Sequence, residues 1–419
     1  MAESPAGTSR SPEHTWRWVI LGMLFISTFL NYLDRQTLSV LKPAIKAEFG
    51  LDDSGYANIV MAFLVTYMFA YTLGGRLVDW VGSRISLTLF VGTWSLASLG
   101  TGLSQTLGQL TACRVVLGAA EPGNYPAALR AATTWFPAKL RGFAASFYQA
   151  GSATAAVLAM PIIALVATRW GWRATFVIPG VLGLVWAAAW WAIYRSPSPA
   201  YAAEVAARRA EAPRIPWARL LRHRNLWGIV LARMVSDQVW YFCLFWMPGY
   251  FQENLRLSLL LAGLIGWIPF LCADLGGIGS GLLSDRLVAR GRQPWQARKL
   301  ILAGAACFAP VAAVIPFAPH LVVAVAGFCV VATVCQVWLF NITTLVSDVF
   351  PRTSVASVLG ISGSFGAFGG LVSNKLIGTF VGSLGFTPVL LALAGLHLIA
   401  AAIVMKLVAG EPSAGPAQG

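Results

Sequence analysis

Long apolar stretches constrain this chain more than any other feature. A helix needs about 20 mostly apolar residues to cross the hydrocarbon core of a bilayer. The 419-residue chain offers twelve such stretches, separated by short polar or Pro/Gly-rich breaks. Hydrophobic residues make up 57% of the chain and charged residues 11%, against roughly 45–50% and 25% in a soluble domain. We therefore predict an all-α integral membrane protein without a separate soluble domain.

The predicted spans form two groups of six around one long polar break. The first group covers residues 16–41, 56–78, 85–104, 108–134, 142–168 and 173–194, and the second covers 226–252, 259–283, 299–317, 320–346, 355–380 and 385–408. This pattern predicts a first half over residues 1–194 with a tail over 1–15, a cytoplasmic linker over 195–225, and a second half over 226–419 with a tail over 409–419. Within the linker, residues 201–211 are compatible with a short surface helix.

The net charge of +14 is distributed by side of the predicted bundle. Breaks on one side collect most of the arginines, whereas breaks on the other side hold Lys42, Lys46, Arg169, Arg173 and Arg256. Short loops rich in Lys and Arg stay in the cytoplasm, so we expect both chain ends there and the protein in the inner (plasma) membrane. Because the positive charge follows topology, we expect no nucleic-acid partner.

Histidines and cysteines give no sign of an enzyme or a metal site. The histidines at positions 14, 223, 320 and 397 lie far apart, and the six cysteines lie in apolar segments without CxxC spacing. No grouping of nucleophile, base and metal ligand stands out. We therefore expect no enzymatic activity, metal, disulfide or bound cofactor. The polar first fifteen residues also lack the pattern of a removable signal peptide.

A short motif follows the second span and recurs after the eighth. Residues 75–84 read GRLVDWVGSR, and residues 281–292 read GLLSDRLVARGR. Glycine lets a neighbouring helix approach, and an acidic residue at a helix end can hold a basic group or a helix N-terminus of that neighbour. We predict that this pair latches one conformation, the alternative being an ordinary basic loop. The motif residues are Gly75, Asp79, Gly82, Arg84, Gly281, Asp285 and Arg286.

A short list of ionisable residues lies inside the predicted spans. Each costs at least about 2.5–3.5 kcal/mol near the bilayer centre, so each is a functional hypothesis. They are Asp34, Arg35, Arg114, Glu121, Arg233, Asp237, Asp274 and Lys375. Lys375 lies near the outer end of its span, where a lysine reaches the surface. Arg233, Asp237 and Asp274 either serve function or stitch helices together.

Helical spacing relates the charged residues of the first and fourth spans. Arg114 and Glu121 are seven residues apart, which places them on one face of the fourth span. In the first span, Tyr32 and Arg35 share a face, while Asp34 lies about a third of a turn round. Either Arg35 faces a cavity while Asp34 contacts a neighbouring helix, or the reverse.

The motif pair, the six-plus-six layout and the Arg114-Val-Val-Leu-Gly118 segment resemble the major facilitator superfamily. Residues 31–39, 118–127, 236–246 and 267–276 resemble its anion:cation symporter family, and within it the bacterial hexuronate transporters. The resemblance implies two six-helix halves around a central cavity, with a binding site at the membrane midplane. Departures from that branch at Pro122–Gly123, Arg130 and Gln149 leave the exact sugar acid open.

Residue chemistry within this frame predicts proton-coupled import of an organic anion. A guanidinium matches a carboxylate with paired donors, so Arg35 is the first candidate for binding the substrate carboxylate. Further substrate contacts are expected from Tyr32, Tyr67, Gln149, Trp240 and Asn341, for which helix packing is the alternative.

Proton coupling is assigned to acidic residues next to these arginines. Burial favours a neutral carboxyl group and a nearby guanidinium favours a charged one, so Asp34 and Glu121, beside Arg114, are the candidate proton carriers. We expect the proton as coupling ion, a small organic anion and the lipid bilayer as partners, and a monomer.

Two other functions stay open. An organophosphate:phosphate or other anion exchanger of the same fold would use Arg35 and Arg233 as a clamp, although nearby carboxylates would repel a divalent anion unless protonated. A membrane sensor, from a different class, would bind its ligand without moving it.

Overall fold

The computed structural model describes residues 12–136, 140–198 and 217–410, and the regular secondary structure within these ranges is helical. Ten helical stretches of the described chain are long and apolar enough to cross a membrane. The two other predicted spans are helical as well: one is interrupted in its middle, and the other is the 33-residue helix Arg352–Leu384. The predicted all-α membrane fold is confirmed.

The first half contains seven α-helices. They are α1 (Pro12–Val40), α2 (Lys42–Phe49), α3 (Asp53–Leu103), α4 (Leu107–Ala120), α5 (Asn124–Trp135), α6 (Arg141–Trp170) and α7 (Ala174–Ile193). Helix α3 runs through the second and third predicted spans without a loop, and it kinks at Gly82, whose φ of 80° favours glycine. Between α4 and α5, the 3₁₀ turn Glu121–Gly123 breaks the fourth span, because Pro122 has no N–H to continue the α-helical ladder.

The short helix α8 (Trp217–Leu220) lies within the predicted linker. The helices that follow are α9 (Arg224–Phe245), α10 (Met247–Glu253), α11 (Leu259–Gly266), α12 (Ile268–Ala289), α13 (Pro294–Ala306), α14 (Leu321–Val349), α15 (Arg352–Leu384) and α16 (Thr387–Leu407). Two 3₁₀ turns, Ala309–Ala313 and Ile315–Phe317, extend the span that α13 begins. The surface helix predicted over residues 201–211 lies outside the described residues, and the division into halves at 195–225 stays a prediction.

The two ends of the bundle are distinguished by the chain ends. We call the end where α1 begins and α16 finishes the terminal face, and the other end the opposite face. At the opposite face, Lys42 lies just after the end of α1, and its Nζ group lies 5.3 Å from the Phe386 ring centroid, next to the start of α16. Helices α1 and α16 therefore run antiparallel.

Contacts between the halves run from the opposite face to the middle of the bundle. Near the opposite face, Tyr56 donates to the Phe245 carbonyl at 3.0 Å, and Gly378 of α15 packs on Ala57 of α3. Deeper along the same pair of helices, Ser364 Oγ donates to the Met68 carbonyl at 3.2 Å. These contacts close the bundle at the opposite face.

One face of α6 shows how the halves separate towards the terminal face. Met160 is fully buried, where α6 packs on Gly263 and Gly266 of α11 in the other half. Gln149 lies eleven residues earlier, three turns along the same face, and its side chain is exposed. The surface of α6 that contacts the second half at one end is thus open at the other.

Candidate functional site

An ion pair between Arg35 of α1 and Glu121 occupies the middle of the first half. Arg35 donates to Glu121 Oε2 from Nη2 at 2.8 Å and from Nε at 3.1 Å. The side chain of Arg35 is 11% exposed and that of Glu121 fully buried. The 3₁₀ turn places Glu121 here, and Asn31 fixes it further by donating to the Glu121 carbonyl at 3.3 Å. A charge-assisted contact of this kind, shielded from water, is strong.

Aromatic side chains surround the Arg35 guanidinium. Its central carbon lies 5.1 Å from the Tyr32 ring centroid, 4.9 Å from that of Tyr67 and 6.0 Å from that of Phe63. Nη2 also lies 3.4 Å from the Tyr67 hydroxyl. The structure therefore brings Arg35, Tyr32, Tyr67 and Glu121 together, and stacking on the rings stabilises the cation.

Asp34 points away from Arg35, into the seam between α1 and α3. Its Oδ1 accepts a hydrogen bond from Ser98 at 2.9 Å, and the residue is 1% exposed. This decides between the two arrangements that helical spacing allowed. Asp34 Oδ2 and Glu121 Oε1 are buried without a hydrogen-bond partner in the described part of the chain. Each carboxyl group thus keeps one oxygen free to carry a proton.

Arg114 is the buried cation between these acids. It is 2% exposed, and its Nε and Nη2 have no hydrogen-bond partner among the described residues. Its guanidinium lies 5.1 Å from the Phe176 ring centroid, and its charge acts on Glu121 and Asp34. Arg114 and Arg35 also line one internal cavity of about 10 Å³, roughly the space of one water molecule.

Two of the predicted substrate-binding residues, Trp240 and Asn341, lie in the second half. Trp240 of α9 is partly buried and packs edge to face on Phe270, with ring centroids 5.8 Å apart. Asn341 of α14 is buried in the seam with α12, where it donates to Ser280 Oγ and to the Val337 carbonyl, both at 2.8 Å. In this conformation Asn341 joins helices, so its role in substrate binding stays a prediction, as does that of Gln149.

Two further charged sites lie in the second half. Arg233 and Asp237 of α9 form an ion pair at 2.9 Å, and Ser362 of α15 lies 3.4 Å from Arg233 Nη1. Asp274 of α12 accepts a hydrogen bond from Gln336 of α14 at 3.2 Å. Sequence reasoning did not single out Gln336, because one amide in an apolar span carries no signal without its partner.

The repeated motif makes contacts within each half. Arg84 donates to the Trp191 carbonyl at 2.7 Å, and Asp285 lies 3.5 Å from Arg298 at the start of the next span. Arg286 is exposed, and the Asp79 side chain lies outside the described part of the structure. An added Cβ at Gly75 or Gly281 would meet nothing within 4 Å, so the close helix approach expected there is not made in this conformation.

A cluster of ion pairs at the opposite face, which sequence reasoning missed, joins the two halves. Lys42 Nζ lies 2.7 Å from Asp53 and 2.7 Å from Glu253, and Lys46 lies 2.9 Å and 3.3 Å from the same two carboxylates. Lys42 is fully buried, 4.6 Å from the Trp246 ring centroid. Glu253 is 211 residues from Lys42 along the chain, so local patterning could not reveal this pairing. We call these residues the opposite-face cluster.

Lys46 keeps its charge in this cluster. Burial alone would lower the pKa of Lys46, but the hydrogen bond to Asp53 and the charges of Glu253 and Asp53 raise it above its usual value. The ammonium group is therefore protonated throughout the physiological range. The positive charge that Lys46 brings to the cluster is therefore constant over that range.

Comparison with known proteins agrees with this architecture. The sequence profile of the Major Facilitator Superfamily matches residues 24–373. The hexuronate transporter of Escherichia coli (strain K12) is 27% identical over 421 residues, covering 96% of this chain and 96% of that protein. The probable L-galactonate transporter of the same strain is 32% identical over 324 residues, covering 74% and 72%.

A solved structure shares the fold. The bacterial homolog to the human lysosomal transporter Spinster, in an inward-facing and unoccupied conformation, superposes with a TM-score of 0.74 over 95% of both chains at 18% identity. That likeness extends over both halves.

Proposed function

The chain belongs to the major facilitator superfamily, and on that premise we propose that it imports a hexuronate or a related sugar acid together with protons. It is a multi-pass transporter of the inner membrane and not an enzyme. Transporters of sugar acids among its relatives, aligned over 96% and 74% of the chain, support this substrate class. The observation that carries the proposal is the Arg35–Glu121 pair.

Substrate binding is an exchange of partners at Arg35. In the structure Glu121 accepts hydrogen bonds from the Arg35 guanidinium, so a substrate carboxylate competes with an internal carboxylate for the same donors. Protonation of Glu121 removes the competing negative charge and leaves Arg35 free for the anion. The rings of Tyr32 and Tyr67 remain around the guanidinium to contact the substrate.

Proton release reverses the exchange. Glu121 Oε1 and Asp34 Oδ2 have no partner among the described residues, and each can hold a proton in the loaded state. When the proton leaves Glu121, its carboxylate pairs with Arg35 again and displaces the substrate. Arg114 lies beside both acids and stabilises their charged forms electrostatically. Transport is coupled because the empty deprotonated state and the loaded protonated state are the easier ones to interconvert.

The termini and the terminal face are assigned to the cytoplasm. The excess of arginine in the loops on that side supports this orientation. The opposite-face cluster then closes the outer side, and the exposed Gln149 surface lies on a path from the cytoplasm. This arrangement corresponds to an inward-facing state of a monomer.

Uptake into proteoliposomes tests the proposal. Purified protein is reconstituted, an inside-alkaline pH gradient is imposed, and the entry of labelled D-galacturonate and D-glucuronate is followed. We expect accumulation above the equilibrium level that collapses when a protonophore is added. Binding of a sugar acid without uptake would instead identify a sensor, and uptake driven only by internal phosphate would identify an exchanger.

A further inference from the structure

Asp274 and Gln336 form a pair of hydrogen-bond acceptors in the second half. Gln336 Nε2 donates to Asp274 Oδ1 at 3.2 Å, which uses the amide nitrogen. The remaining acceptors, Asp274 Oδ2 and Gln336 Oε1, are buried without a partner among the described residues. Gln336 is only 8% exposed. Buried acceptors without donors are rare in folded proteins and need an explanation, all the more inside a membrane.

Helix packing fixes this pair in place. Gln336 stands on α14 where α12 approaches closely, because Gly277 of α12 leaves room for it: an added Cβ there would lie 3.1 Å from Gln336 Cγ. Gly276 gives the same room beside Thr333. The close packing of α12 on α14 therefore fixes the positions of the two acceptors.

The pair is linked to the site of the first half through α9. Phe245 of α9 lines the internal cavity together with Arg35, and Trp240 lies five residues earlier on the same helix. Phe270 lies one turn before Asp274 on α12, and the Trp240 ring packs against the Phe270 ring. Asp274 is partly exposed. A substrate held at Arg35 that extends into the second half would meet Trp240 and Phe270 before Asp274.

Asp274 and Gln336 offer hydrogen-bond acceptors, whereas Arg35 offers donors. A carboxylate and an amide oxygen, both lacking donors, are matched by hydroxyl groups, each of which donates one hydrogen bond. A sugar acid has a carboxylate at one end and hydroxyl groups along the rest of its chain. We propose that Asp274 and Gln336 bind the hydroxyl-bearing end of the substrate while Arg35 binds its carboxylate.

This assignment rests on the proposed function and gives it a specificity. A substrate with a second carboxylate at its far end places that negative charge against Asp274, which repels it. The protein therefore prefers sugar monoacids, such as hexuronates and aldonates, to aldarates of the same length. Short monocarboxylates without hydroxyl groups bind Arg35 alone and weakly.

Binding measurements on purified full-length protein test the assignment. The probes are D-glucuronate, D-glucarate of the same carbon number, and propionate, which lacks hydroxyl groups. In the wild type we expect affinity to fall in that order. In Asp274→Asn, the dissociation constant for D-glucuronate rises by about tenfold, the equivalent of roughly 1.4 kcal/mol, the preference over D-glucarate shrinks, and propionate binding stays within about twofold, since it uses Arg35 alone.

Control variants keep the test interpretable. Gln336→Leu removes the second acceptor and should weaken D-glucuronate but not propionate. Thr343→Val, seven residues along α14, removes a hydroxyl that bonds the Leu339 carbonyl of its own helix, and it should change none of the three affinities. If Asp274→Asn is too unstable to purify, Gln336→Leu tests the part of the prediction on hydroxyl binding: weaker D-glucuronate binding with unchanged propionate binding.

Failure of this inference is distinguishable from failure of the proposed function. If the wild type transports a sugar acid but Asp274→Asn retains its affinities and their order, the hydroxyl assignment is wrong. The same holds if Asp274→Asn keeps its substrate order but loses accumulation driven by a pH gradient, because Asp274 then carries a proton. If the wild type binds no sugar acid, the proposed function itself is wrong.

Discussion

Arg35 donates two hydrogen bonds, from Nη2 and Nε, to a single oxygen of Glu121, and the other oxygen of that carboxyl group has no partner in the described structure. The ion pair thus uses one carboxylate oxygen of Glu121 and leaves the other without a hydrogen bond. In the proposed mechanism, a proton binds this second oxygen of Glu121 and weakens its contact with Arg35.

Glu121→Gln should uncouple transport from the proton. The amide cannot ionise, so the exchange of substrate for an internal carboxylate is lost. We expect accumulation driven by a pH gradient to disappear while exchange of labelled for unlabelled sugar acid remains measurable. Glu48→Gln is the matched control, since Glu48 pairs with Arg173 at 2.9 Å on the opposite face. Undiminished pH-driven accumulation in Glu121→Gln would remove Glu121 from this role.

Arg35→Lys should reduce substrate affinity although the positive charge remains. Lysine cannot present two parallel donors to a carboxylate, so we expect the dissociation constant for D-galacturonate to rise by about tenfold or more, as for a lost charge-assisted hydrogen bond. Calorimetric binding to purified protein measures it. Unchanged affinity would show that Arg114 or Arg233 binds the carboxylate instead.

Lys42→Met should open the outer side. Lys42 neutralises Asp53 and Glu253 at 2.7 Å each, and removing one partner of a buried ion pair costs about 3–5 kcal/mol. A cysteine placed at Val60, which lines the cavity beside Arg35, reports the change in a variant without the six native cysteines. We expect its labelling from outside the cell by an impermeant maleimide to rise.

The neighbouring lysine provides the comparison for that experiment. Lys46 contacts the same two carboxylates, but its side chain is 20% exposed whereas that of Lys42 is fully buried. Lys46→Met should therefore raise labelling much less, because solvent screens the remaining charges. Equal labelling in Lys42→Met and the wild type would show that the opposite-face cluster does not hold this side closed.

Gly378→Leu should act in the same direction through packing. A Cβ at Gly378 would meet the Ala57 side chain and lie 2.9 Å from the Asp53 carbonyl, so α15 and α3 must separate. At Gly382, one turn further along α15, an added Cβ meets only Asp53 Cβ at 3.9 Å. We expect Val60 cysteine labelling to increase in Gly378→Leu and to stay near the wild type in Gly382→Leu. The reverse order would contradict the packing explanation.

Local patterns predicted the helices and the charged residues but not their partners. Apolar length located every span, since the bilayer imposes it. Helical spacing limited Asp34 and Arg35 to different faces, and the structure shows that Arg35 meets Glu121 while Asp34 meets Ser98. Which of the two residues faces the site depends on how neighbouring helices pack. The spacing of residues along one helix gives no information on that packing.

Two features were not predicted, for different reasons. The 3₁₀ turn at Glu121–Gly123 interrupts the fourth span after Glu121, and Tyr125 beyond it is exposed whereas Arg114 before it is buried. Pro122 carried that signal and could have been read. The opposite-face cluster could not, because Lys42 and Glu253 meet only when the two halves dock.

The face of α6 that carries both Gln149 and Met160 sets a demand on amino-acid choice. If the two halves rock between states, the end of this face that is exposed to water in one state becomes buried in the other, and the reverse holds for its second end. A strongly hydrophobic surface would be unfavourable when exposed to water, and a charged surface would be unfavourable when buried. Small and weakly polar residues tolerate both, and the stretch AGSATAA that follows Gln149 is made of them.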